Sequence, residues 1–186
     1  MSDAQLESLV ADADAGSAAA RAQLFAILYK DLRRMARRAL DRDGVHLTIS
    51  PTTILHETYL DISKRTSVVF PDRAHFMAYA ARAMRGLILD YATSRRAQKR
   101  GSGFHITRLP TEGVQLAVDD TELQRIADAV DALATLNPRL AQVVDLKFFC
   151  GYSFADIAAM FGLSERTVQR DWDQARLFLH NSLVEP

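Results

Sequence analysis

Residues 153–179 constrain the fold more than any other stretch of the chain. Ile157, Ala158 and Phe161 are spaced to put an apolar stripe on one short helix. Gly162 follows as a turn residue that takes positive φ at little steric cost. Ser164 is a good N-cap for a second helix, whose Val168, Trp172, Ala175 and Leu179 continue a buried face. The small Ala158 suits a close crossing of the two helices. This is a helix-turn-helix pattern, and Arg166, Thr167, Gln169, Arg170 and Arg176 fall on its second helix. Arg and Gln there suit phosphates and base edges in the DNA major groove. An αα-hairpin that only packs would share the apolar stripes, but would give no reason for the exposed Arg and Gln beside the caps.

The remaining sequence is helical almost throughout. Leu6, Leu9 and Val10 mark a first helix ending near Gly16, and a second runs from about Ser17 to Asp41 with Leu24, Leu28, Leu32, Met35 and Leu40 on one side. Ser50 and Pro51 open a third, since Ser caps and Pro fits the first helical position. A fourth opens after Pro71 and Asp72 and is expected to end near Arg96. Helices resume over Thr121 to Thr135, and Asn137 and Pro138 open another ending near Cys150. No strand-like alternation of useful length interrupts them. The expectation is an all-α protein of two small helical domains, residues 1–98 and 121–186, joined by a flexible linker over 99–120. The linker assignment rests on the Gly, Ser, Thr and Pro between Gly101 and Val118.

Charge is balanced in total, with 23 Lys plus Arg against 23 Asp plus Glu. Its distribution is not. Arg82, Arg85, Arg95, Arg96, Lys99, Arg100 and Arg108 face a lone acid, Asp90, and Lys30, Arg33, Arg34, Arg37 and Arg38 form an earlier basic cluster. Acids collect near Asp3 to Asp14 and Asp119 to Asp131. Separate basic patches in a neutral chain suit a protein that meets nucleic acid and a protein partner. The single Cys150 excludes intramolecular disulfides and multi-cysteine metal sites. His46, His56, His75, His105 and His180 lack metal-ligand spacing, and no nucleophile-base pair or phosphate loop stands out. No cofactor and no catalytic residue is expected. A leader and a bilayer-length apolar run are both missing, which predicts a cytoplasmic protein with no membrane partner.

These residues resemble the extracytoplasmic-function, group-four, sigma factors of bacterial RNA polymerase, over nearly the whole length. Phe76, Tyr79, Arg85, Asp90, Arg95 and Arg96 resemble the family's second-region pattern, and His56, Glu57, Thr58, Tyr59 and Leu60 resemble its Gln-Glu-Thr-Phe-Leu run. Leu136 to Leu179 resembles its helix-turn-helix domain. The resemblance implies that the first domain binds the β′ coiled coil of core polymerase and melts the minus-ten element. The second would read the minus-thirty-five element, with the β subunit and promoter DNA as further partners. It implies DNA contacts for Arg82, Arg85, Arg95, Arg96, Arg166, Thr167, Gln169 and Arg170, and polymerase contacts for Thr52, Thr53, Glu57 and Asp61. A melting domain must hold unstacked bases on aromatic surfaces and their phosphates on cations. Phe76 and Tyr79 could serve as such surfaces or as plain core. Gly86 stands where the family carries Asn.

The chain departs from the family at the start of the core-binding helix. Alignment on Glu57 places Ser50, Pro51, Thr52 and Thr53 where members carry an acidic run, so it looks like an atypical subgroup. Phosphorylation of Thr52 or Thr53 would restore about −1.5 to −2 of charge in a first helical turn that favours anions. A phosphothreonine there could pair with arginine in a bidentate way. This predicts a serine/threonine kinase as regulator, with Thr52 preferred and Thr53 close behind. A separate anti-sigma factor is a second candidate partner. Two other functions are compatible with the residues: a free-standing helix-turn-helix regulator, and a sigma-mimicking decoy for an anti-sigma factor. A closed arrangement, with the acidic Asp119 to Asp131 region against a basic patch, is also compatible.

Overall fold

The computed structural model describes residues 3–42, 49–64, 70–101 and 120–184. Among these residues every regular element is helical. The first half comprises α1 (Asp3–Asp14), α2 (Ala18–Arg42), α3 (Pro51–Lys64) and α4 (Arg73–Gly101). The apolar stripe of α2, through Leu24, Leu28, Leu32 and Met35, is buried. It shares a core with Ile54, Leu55 and Ile62 of α3 and with Phe76, Met77, Met84 and Ile88 of α4. The Ser50 start signal acts as expected: its Oγ accepts the Thr53 N–H at 3.1 Å.

The second half comprises α5 (Asp120–Leu136), α6 (Pro138–Val144), α7 (Phe154–Phe161) and α8 (Glu165–Val184). Between α6 and α7 the chain takes a π-helical turn over Asp145–Phe149. The Cys150 N–H donates to the Asp145 carbonyl at 3.0 Å. The expected single helix from Pro138 to Cys150 is therefore wound in two ways. The wider turn leaves Asp145, Leu146 and Phe149 buried and Phe148 exposed.

Helix α4 runs past its expected end at Arg96 to Gly101. Ala97, Gln98, Lys99 and Arg100 are all good helix formers, and Gly101 is the first breaker. The expected boundary between residues 98 and 99 thus falls inside a helix, and 102–119 of the expected linker lie outside the described residues. The two halves pack on one another: α4 touches α5, α6, α7 and the π-turn, and α2 touches the π-turn. Among the described residues no helix is long and apolar enough to cross a membrane.

Candidate nucleic-acid interface

The turn between α7 and α8 is fixed by local bonds. Ser153 and Asp156 form a reciprocal capping box, each side chain accepting the other's backbone N–H at 3.0 Å. These bonds hold the Asp156 carboxyl below its ordinary pKa. Gly162 closes α7 at φ 63°, a left-handed conformation that most side chains avoid. Ser164 then caps α8, its Oγ accepting the Thr167 N–H at 3.1 Å. Arg166, Gln169 and Arg170 emerge exposed, and with Ser164, half-buried Thr167 and Asp173 they line one shallow surface cavity. The structure therefore brings all four expected α8 residues together. Thr167 also shares a 2.7 Å hydroxyl contact with Ser164, so it serves the cap as well.

The α4 residues are placed differently. Arg82 is half-exposed, and its Nη2 lies 3.2 Å from Asp131 Oδ1 on α5. Arg85 is only 3% exposed, which removes it from the expected outward face. Its Nε donates to Asp145 Oδ1 at 2.7 Å and its Nη2 to Asp131 Oδ1 at 3.0 Å. Its guanidinium lies 5.5 Å from the centre of the Phe149 ring. In this arrangement Arg85 cannot touch a phosphate, because carboxylates of the second half already occupy its donors. Burial alone would lower the Arg85 pKa, but Asp145 and Asp131 raise it above its ordinary value. Burial pushes the Asp145 carboxyl up to about 6 against the pull of Arg85. Desolvation thus offsets much of the attraction within the pair.

Phe76 is fully buried, with Phe70 edge-on at 5.2 Å, and so is core here. Half-buried Tyr79 also packs on Phe70, and its hydroxyl donates to Asp61 at 3.2 Å. For Arg95 and Arg96 the structure describes the helical backbone; their side chains lie outside the described residues. At Gly86 an added Cβ would meet nothing within 4 Å.

On α3, Thr52 and Thr53 are exposed in the first turn, which carries no acid. The Thr53 hydroxyl lies 2.9 Å from Ser50 Oγ, whereas no such bond engages the Thr52 hydroxyl among the described residues. Glu57 and Asp61 are half-buried farther along the helix. Sequence reasoning missed Asp145 and the buried Asp171; only the placement of an acid on an otherwise apolar helical face could have signalled them. No group of His, Cys, Asp or Glu able to hold a metal occurs among the described residues.

A family model described as ECF sigma factor matches residues 3–185. Comparison with curated proteins finds no match. Among solved structures, CnrH in complex with the cytosolic domain of CnrY is similar, with 24% identity over 96% of each chain and a TM-score of 0.40.

Proposed function

The chain belongs to the ECF sigma factor family, and on that premise we propose that it is a promoter-specificity subunit of bacterial RNA polymerase, switched by threonine phosphorylation. It has no catalytic step of its own and works through the polymerase it directs. The observation that carries the DNA-reading role is the exposed face of α8, where Arg166, Gln169 and Arg170 stand behind a doubly capped turn. In this reading residues 1–98 bind core polymerase and open the minus-ten element, and residues 121–186 read the minus-thirty-five element. Arg82, Arg85, Arg95 and Arg96 meet DNA phosphates once the two halves separate.

The switch is supported by the acid-free first turn of α3. Exposed Thr52 and Thr53 sit in the first turn, where the helix dipole favours an anion. Thr52 is the preferred acceptor, since the Thr53 hydroxyl and N–H are both engaged with Ser50. A phosphate there offers the polymerase a doubly charged partner for arginine. The test is reporter transcription in cells carrying the Thr52→Ala/Thr53→Ala protein. Loss of transcription is expected. Undiminished transcription would end the switch while leaving the sigma factor role intact.

A further inference from the structure

Two of the arginines assigned to DNA in α4, Arg82 and Arg85, are held by carboxylates from the other half of the chain. A single oxygen, Asp131 Oδ1, lies 3.2 Å from Arg82 Nη2 and 3.0 Å from Arg85 Nη2. Asp145 Oδ1 takes Arg85 Nε at 2.7 Å. An anionic oxygen between two guanidiniums, with a second anion on Arg85, gives these side chains the same kind of charge-assisted contact that phosphate oxygens offer. The π-helical turn contributes to this placement, because Asp145 is its first residue and is buried facing α4. The Ala127 carbonyl adds a long 3.5 Å contact to Arg85 Nη1.

We propose that Asp131 and Asp145 are internal mimics of DNA phosphate, occupying Arg82 and Arg85 in the free chain until promoter DNA displaces them. The proposal rests on the sigma factor reading and adds to it a self-occlusion of the melting surface. All the carboxylates come from α5 and the π-turn, so freeing Arg85 requires the two halves to part. Closure is reversible on physical grounds. The Asp131 bridge is half-exposed and screened by salt, and the buried pair is offset by desolvation. Arg82, Arg85 and Asp131 also line a cavity of about 340 Å3 beside Gly86, with Asp61 and Asp90 on its wall, so in the closed chain acids and not a phosphate surround both guanidiniums. DNA brings many phosphates and releases counterions on binding, so it can outcompete two carboxylates.

The test measures binding of the full-length chain to a duplex with a central unpaired bubble, at low salt, by fluorescence anisotropy. Asp131→Asn/Asp145→Asn keeps side-chain size and removes the competing charges. Its affinity is expected to rise about 10-fold over wild type, the scale of one or two charge-assisted contacts. Asp12→Asn removes one charge from an exposed site on α1, matching the single Asp131→Asn change, and is expected to stay within about 2-fold of wild type. Small-angle scattering should show the Asp131/Asp145 variant more extended than wild type. The single Asp131→Asn change, at a half-exposed site, gives a smaller rise in the same direction should the double variant fold poorly. Equal gains in the Asp131/Asp145 and control variants, or no gain in either, would overturn the proposal. Chain phosphorylated at Thr52 and bound to core polymerase is the reference: if that assembly also fails to bind promoter DNA, the sigma factor reading falls too. If it binds and the free-chain variants match wild type, only the mimicry falls.

Discussion

Asp171, fully buried on α8, is gripped by Arg139 of α6 through both carboxylate oxygens. Oδ1 accepts from Nη2 at 3.0 Å. Oδ2 lies 2.9 Å from Nε, close enough for charge attraction but without an aligned hydrogen bond. This pair ties the recognition helix to the scaffold within one turn of Gln169 and Arg170. Asp171→Ala should therefore lower stability by about 1–3 kcal/mol, a range discounted because Arg139 is half-exposed and keeps water. Chemical denaturation would measure it, and an unchanged midpoint would show the pair to be passive.

The α7 capping box predicts a pH effect. Asp156 has a depressed folded pKa, so its contribution is complete above the ordinary carboxylate value of 3.8 and is lost as pH falls through the lower folded value. Wild-type melting temperature should fall more steeply than that of Asp156→Asn across that acid window. Parallel curves would speak against the box as a source of stability.

Side chains on α8 should separate by role. Gln169→Ala is expected to relax preference at one base position by about 1–3 kcal/mol. Arg166→Ala or Arg170→Ala should instead weaken binding to all sequences alike if the contact is to phosphate, reducing the salt slope by about 1. Titrations of holoenzyme against promoter and scrambled duplexes at several salt concentrations would distinguish them. Identical behaviour of all three variants would remove the assignment of Gln169 to a base.

Arg85 offers a third contrast. Arg85→Met leaves Asp145 buried without its closest cation and should loosen the seam between the halves. Adding Asp145→Leu replaces the pair by apolar groups and should restore a compact chain, since a buried ion pair exchanged for packed side chains is often neutral or better. Scattering profiles of the two variants would decide. A single variant as compact as wild type would show that other contacts close the seam.

The parts of this structure legible in the sequence are those set by neighbours in the chain. Ser50 and Pro51, Asn137 and Pro138, and Gly162 with Ser164 mark helix ends through bonds spanning three or four residues, and each acts there as expected. The stripe of Leu24, Leu28 and Leu32 is core for the same local reason. Arg85 is the opposite case. It sits three residues after Arg82 and resembles it in sequence, yet its partners lie 46 and 60 residues away. Nothing local distinguishes an arginine that faces water from one that a distant carboxylate draws inward. The π-turn is hidden too, because Asp145–Phe149 carries the apolar pattern of an ordinary helix, while the turn packs against α4, which is distant in sequence.

Capture of core RNA polymerase by the purified chain, unmodified and phosphorylated at Thr52, is the decisive measurement of the switch. Weak capture by the unmodified chain and strong capture after phosphorylation are expected, with phosphorylation at Thr53 less effective. Equal capture by the unmodified and phosphorylated chains would discard the switch, and failure of every form to capture polymerase would overturn the sigma factor reading as well.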